Sequence, residues 1–288
     1  MRNIGIYYAY WTQEWDVDFL PYIKKVKKLG FDQLEINGGT IAVMTSDERA
    51  ALREEAQREG IVLSYGIGLT PQNNVSSLDE NIRKTGVNFM KEMIKGVADM
   101  GGGGIGGTVH SFWPANDLES IEQKKLIRDQ SLKSMREMIP MAEDLGVILS
   151  VEVINRFEQY MLNTCAEAVS YVEEINSPNC KILLDTFHMN IEEDSIGGAI
   201  ELAGSYLSQL HVGENNRKPP GTGRMDWGEI KTALDNINFD GPIVMEPFVR
   251  PGGTVGKNIA VWRDLMPGAD LDEVAAQSVQ FLRRTLCS

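Results

Sequence analysis

Ser150-Val151-Glu152-Val153-Ile154-Asn155-Arg156-Phe157-Glu158 continues the apolar run Gly146-Val147-Ile148-Leu149 to a carboxylate and then turns polar and charged. Read as a buried parallel strand, it puts Ser150 and Glu152 on one face and Leu149, Val151 and Val153 on the other. A carboxylate at such a strand end is costly to bury unless a positive partner meets it. The pattern returns in Lys181-Ile182-Leu183-Leu184-Asp185, in Tyr206-Leu207-Ser208-Gln209-Leu210-His211 and in Pro242-Ile243-Val244-Met245-Glu246. Each run ends in one potential metal ligand, at spacings of 33, 26 and 35 residues, about one strand-plus-helix unit. Four consecutive strands therefore present Glu152, Asp185, His211 and Glu246 at the same end of a sheet.

Working outward, four earlier runs read as strands: Asn3 to Tyr8, Phe31 to Ile36, Ile61 to Gly66 and Ile105 to His110. Helices lie between them. Thr45 to Glu48, Ser77 to Glu80 and Thr164 to Glu167 have capping-box spacing, Asp226 precedes Trp227 as an N-cap, and Gly30, Gly60 and Gly146 stand where a left-handed residue ends a helix. Eight β/α units without a composition break predict a single (β/α)8 TIM barrel over residues 1–288, with a doubly wound open sheet as the alternative. Gly101 to Gly107 contains a formal GxGxxG, but it follows a helix and enters a strand, the reverse of a dinucleotide fingerprint. Close packing at the barrel bottom is the plainer account of these glycines.

The bulk properties narrow the function. A chain of 288 residues and 32.0 kDa suits one barrel, and no apolar stretch approaches the roughly 20 residues of a membrane span. A formal charge of −13 and a pI near 4.8 oppose a phosphate backbone, so no nucleic-acid partner is expected. Cys165, Cys180 and Cys287 form no CxxC pair and read as reduced and structural. Met1-Arg2-Asn3-Ile4 enters a strand without an export signal, so a cytoplasmic location is expected.

Left alone, three carboxylates at neighbouring strand ends repel one another, and a divalent cation relieves that repulsion. Three carboxylates and one imidazole make an oxygen-dominated site, suited to Mn2+, Mg2+ or Co2+ rather than to a thiolate zinc centre. The loops after the first, fourth and seventh strands carry Tyr8 to Trp11, Ser111 to Pro114 and Arg217 to Arg224, and in a barrel they converge on the face where active sites sit. Glu158, His188 and Arg217 offer a substrate one acceptor, one switchable donor and one fixed cation. Tyr7, Trp15, Trp113 and Phe248 offer flat walls of the kind sugar rings require.

Gly5 to Trp11, Glu152 to Glu158, Leu184 to Glu193 and Met245-Glu246-Pro247-Phe248 resemble the D-tagatose 3-epimerase family, in particular its D-psicose (D-allulose) 3-epimerase members, over essentially the whole chain. The resemblance implies a xylose-isomerase-like barrel that binds Mn2+ or Co2+ through Glu152, Asp185, His211 and Glu246. It implies Glu152 and Glu246 as the catalytic acid/base pair. Glu158, His188 and Arg217 match substrate-oxygen contacts, Trp113 and Phe248 match substrate walls, and a homodimer or homotetramer is implied. The expected activity is ketose 3-epimerisation, as between D-fructose and D-psicose. The C3 hydrogen of a ketose is acidic because its carbanion delocalises into the C2 carbonyl, a metal on the substrate oxygens favours that charge, and inversion needs one carboxylate for each face of C3.

An aldose–ketose isomerase on the same barrel is the alternative. Hydride-shifting isomerases use two metals and more ligands than this sequence supplies. The DNA-repair endonucleases on related barrels need several histidines and a basic groove, whereas this acidic chain has three histidines. A sugar-binding barrel without catalysis needs no second proton-transfer carboxylate, which counts Glu246 against it.

Overall fold

The computed structural model describes residues 2–115 and 117–287. Among them, eight strands pair in parallel and close on themselves in chain order: β1 Ile4–Tyr7, β2 Gln33–Asn37, β3 Val62–Ile67, β4 Gly103–Gly107, β5 Val147–Glu152, β6 Cys180–Asp185, β7 Leu207–Val212 and β8 Ile243–Met245. β1 pairs with both β2 and β8, which completes the ring. This is the (β/α)8 barrel that the alternation of runs predicts.

Helices clad the outside, among them α1 Leu20–Leu29, α2 Ser46–Glu59, α3 Glu80–Asp99, α4 Ile121–Leu145, α5 Cys165–Ile175, α6 Trp227–Asn236 and α7 Leu271–Leu286. Their ends follow local chemistry. Thr45 and Thr164 form complete capping boxes with Glu48 and Glu167, Asp226 caps α6, and Gly30, Gly60 and Gly146 end α1, α2 and α4 at positive φ. The Ser77 to Glu80 box does not form. Asp79 caps α3 through the N–H groups of Asn81 and Ile82, and Ser77 Oγ accepts from Asp79 N instead.

The fourth strand also departs from expectation. It runs Gly103–Gly107 rather than Ile105 to His110, so the glycines are the strand and not its approach. A Cβ on Gly106 would lie 2.5 Å from Leu183 Cδ1, and one on Gly107 (φ 118°) 2.1 Å from the Ile67 carbonyl oxygen. The Leu183 side chain, reaching in from β6, takes the space at Gly106, and the backbone of the adjoining β3 takes that at Gly107. The close approach lies inside the barrel toward the cavity, where Gly106 and Gly107 form part of the lining, rather than at the barrel bottom.

Strand alternation works on β5 as read: Leu149 and Val151 join the apolar layer under the helices, and Glu152 turns inward. The three cysteines are unpaired, and burial pushes the thiols of Cys165 and Cys180 up to about 12, so they stay protonated. Among the described residues no helix is long and apolar enough to cross a membrane.

Candidate active site

Parallel strands of similar length finish at one height, and the register sets Asp185 on β6 beside His211 on β7. The Glu246 amide, just past β8, donates to the Val212 carbonyl at the end of β7 (3.0 Å). One ligand atom from each of Glu152, Asp185, His211 and Glu246 therefore lies within 4.8 Å of the others. His211 Nδ1 stands 3.5 Å from Glu246 Oε2 and 3.9 Å from Glu152 Oε1.

That nitrogen is buried with no hydrogen-bond partner, an orphan that a cation would satisfy. Burial, then the charge of Glu246, pushes the Glu152 carboxyl well above the ordinary range, and burial also raises Asp185. The donor set fits a divalent metal: three carboxylates and an imidazole, held together at an electrostatic cost that a cation removes.

Above this group opens a cavity of about 670 Å3. Its lining includes Tyr7, Trp15, Trp113, Glu152, Glu158, His188, His211, Arg217, Glu246 and Phe248, while Asp185 is buried outside the lining. Tyr7 and Phe248 meet edge to face at 6.0 Å, and Trp15 meets Trp113 at 6.2 Å and Phe248 at 6.1 Å. These rings form an apolar wall that adjoins the charged groups, with Trp113 Nε1 donating to Glu158 Oε2 at 3.2 Å.

Arg217 reaches into the cavity with its guanidinium between the rings of Phe187 (4.5 Å) and Phe248 (4.8 Å). Its Nη1 is 3.7 Å from Glu158 Oε1 and its Nη2 3.8 Å from Glu246 Oε2, both too long for a hydrogen bond. The residue adopts a left-handed backbone, φ 61°, in a turn closed by its N–H on the Glu214 carbonyl. A non-glycine residue held there marks a position the surroundings impose. Burial pushes the Glu158 carboxyl up, but the Arg217 guanidinium, with hydrogen bonds from Asn155 and Trp113, reverses this and holds it below the ordinary range. Burial dominates at His188 and depresses its pKa, so that ring is neutral.

Glu35, Asn155 and Phe187 are absent from the candidates that the sequence suggests. Glu35, 1% exposed, places Oε1 2.8 Å from His211 Nε2, and its Oε2 accepts from Ser64 Oγ (2.8 Å) and Gln209 Nε2 (2.5 Å). Gln209 Nε2 also lies 2.7 Å from His211 Nε2. Burial alone would raise Glu35, but His211 and the two hydrogen bonds bring it down. Burial likewise opposes charge on His211, and Glu35 and Glu246 override it. The signal for Glu35 was present, because Leu34-Glu35-Ile36 is another apolar run carrying a carboxylate near a strand end.

Comparison with known proteins places the chain among sugar epimerases. It is 48% identical to the D-psicose 3-epimerase of Ruminiclostridium cellulolyticum over 285 residues, spanning 98% of this chain and 97% of that protein. The D-psicose 3-epimerase of Agrobacterium fabrum is 45% identical, with 98% of each chain covered. The chain belongs to the D-psicose 3-epimerase family. Within it, a crystal structure of D-psicose 3-epimerase in the presence of D-fructose matches with a TM-score of 0.96 at 44% identity, over 99% of this chain and 100% of that one. Residues 23–285 match the broader model of xylose isomerase-like TIM barrels. The family makes this chain an enzyme of the isomerase class.

Proposed function

We propose that this chain is a metal-dependent 3-epimerase of ketoses, acting on ketohexoses such as D-fructose and D-psicose. The observation that carries the proposal is the convergence of Glu152 and Glu246, from strands three apart around the ring, on one buried group of cation ligands beneath a sugar-sized cavity. Relatives named D-psicose 3-epimerase support the substrate class.

In this reading Glu152, Asp185, His211 and Glu246 hold a divalent cation, Mn2+ foremost, with Co2+ or Mg2+ as substitutes. Bound there, the cation supplies Lewis-acid polarisation of the ketose oxygens. Glu35 takes the hydrogen of His211 Nε2 and leaves Nδ1, the atom facing the carboxylates, free to ligate. Glu152 and Glu246 serve opposite faces of C3: one removes the proton and the other, protonated, delivers one from the far side.

Substrate contacts follow from the lining. Arg217 and His188 direct donors into the cavity, Glu158 accepts from a hydroxyl, and Tyr7, Trp113 and Phe248 cover the sugar's carbon skeleton and exclude water. The reading further takes residues 1–288 as one domain, cytoplasmic, and assembled as a homodimer or homotetramer. The test is to incubate Mn2+-loaded protein with ketohexoses and ketopentoses and to assign the C3 configuration of each product by NMR. Products altered only at C1 and C2 would instead mark an aldose–ketose isomerase.

A further inference from the structure

Asn155 sits in the turn just past β5, 1% exposed and outside the cavity lining. Its amide orientation is fixed from two sides. The Phe157 backbone N–H donates to Oδ1 at 2.9 Å, and Nδ2 donates to Glu158 Oε1 at 3.1 Å. A flipped amide would set oxygen against carboxylate and N–H against N–H. The same NH2 group lies 2.7 Å from His188 Nδ1, so that ring nitrogen must accept. An imidazole that accepts at Nδ1 carries its proton on Nε2.

We propose that Asn155 is a positioning residue that fixes His188 as a hydrogen-bond donor toward the substrate. His188 Nε2 lies 3.2 Å from Arg217 Nη2, and a guanidinium can only donate. An Arg217 N–H faces Nε2 and would be accepted there only by the other tautomer; the shorter contact of the fixed Asn155 amide, 2.7 Å against 3.2 Å, decides for Nδ1 as acceptor and leaves two donors converging at Nε2, where the nearest carboxylate oxygen, Glu152 Oε1, is 3.9 Å away. The atom that satisfies both is an oxygen with two free lone pairs, a carbonyl or an enolate. With no lone pair facing the cavity, His188 cannot act as a base there. As charge builds on the accepting oxygen both bonds strengthen, so the pair favours the transition state over the ground state.

This inference rests on the ketose reading for its substrate, although the tautomer itself does not. The chain has three histidines, so protein labelled with 15N-histidine and kept free of paramagnetic ions gives a spectrum of three rings, with His188 assigned through His188→Gln. Wild type should show His188 protonated at Nε2. Asn155→Asp, which puts an acceptor opposite Nδ1, should move the proton to Nδ1 or charge the ring. It should lower kcat by about 10²–10³-fold, with KM and Mn2+ affinity changed much less. Asn155→Ala should give mixed tautomers and a smaller loss. A wild-type ring protonated at Nδ1 overturns the proposal without recourse to any variant. So does an Asn155→Asp protein with full kcat and an unchanged tautomer, and if that variant does not fold, unchanged tautomer and kcat in Asn155→Ala overturn it. Wild-type protein inactive on every ketose would sink the functional reading and leave the tautomer result standing.

Discussion

Glu35 is the perturbation that most cleanly separates the metal site from the substrate site, because it touches His211 from the side away from the cavity. Replacing it with Gln keeps the volume and the bonds within reach of Ser64 and Gln209 but removes the charge 2.8 Å from His211 Nε2. A hydrogen bond to a charged group contributes about 1.5–3 kcal/mol. Outer-shell partners of metal-bound histidines typically account for about 10–100-fold in affinity, the same range expressed as a ratio. The consequence can be read thermally. Unfolding 288 residues carries an entropy of about 0.6 kcal/mol/K, and Mn2+ at 100 times its dissociation constant stabilises the native state by about 2.7 kcal/mol. A 30-fold loss of affinity would leave about 0.9 kcal/mol of that at the same metal concentration. The Mn2+-induced rise in Tm should therefore be about 3 °C smaller in Glu35→Gln than in wild type. Differential scanning calorimetry across a Mn2+ titration checks this. Matching metal-induced shifts in the two proteins would refute the role given to Glu35.

Four further outcomes follow from the geometry. Arg217→Ala should lower kcat/KM by about 10–100-fold through lost charge-assisted donors without weakening Mn2+ affinity, whereas a metal-depleted but folded variant would contradict its placement. Arg217→Lys should recover only part of the loss, since an ammonium cannot stack flat between Phe187 and Phe248. In the metal-free protein the folded Glu152 carboxyl titrates above its ordinary value of 4.5. A carboxylate shifted that way costs stability that is absent below the ordinary value and grows as pH rises through the window above it. Metal-free Glu152→Gln should accordingly have a higher urea midpoint than wild type at about pH 7 and no such advantage near pH 4; equal midpoints at the higher pH would count against the repulsion argument. In β4, Gly106→Ala should cost about 1–3 kcal/mol as overpacking against Leu183, and Gly107→Ala more, because it meets a backbone carbonyl at positive φ; the reverse order in chemical denaturation would be inconsistent with the contacts.

The barrel was legible because its strands are short, largely buried apolar runs separated by capped helices, and the last four runs stop at a residue of distinct chemistry, so runs and their punctuation can be counted. Four candidate ligands could be picked from those endings, and the fold brings them within 4.8 Å. β4 lies ahead of the expected Ile105 to His110 because glycines carry no alternation, and their reason, Leu183 and the Ile67 carbonyl, lies on other strands. Ser77 and Asp79, two positions apart, offer rival first turns, and Asp79 prevails because it reaches two amides. The task of Glu35 is not legible locally, since its partner, His211, is five strands further along the chain. Asn155 reads locally as a turn former, and only the packing of α-helical Phe187-His188 against that turn gives its amide a second task.

The two-carboxylate account of C3 inversion is tested most directly by hydrogen exchange in D2O. Each metal-loaded single variant, Glu152→Gln and Glu246→Gln, is given each pure C3 epimer, and loss of the C3–H signal is followed by proton NMR beside metal content. Neither variant should interconvert the epimers, because inversion needs both groups. The carboxylate that remains should still wash deuterium into C3 from its own face, so Glu246→Gln should label one epimer and Glu152→Gln the other. Interconversion at the wild-type rate by either metal-loaded variant would contradict the account.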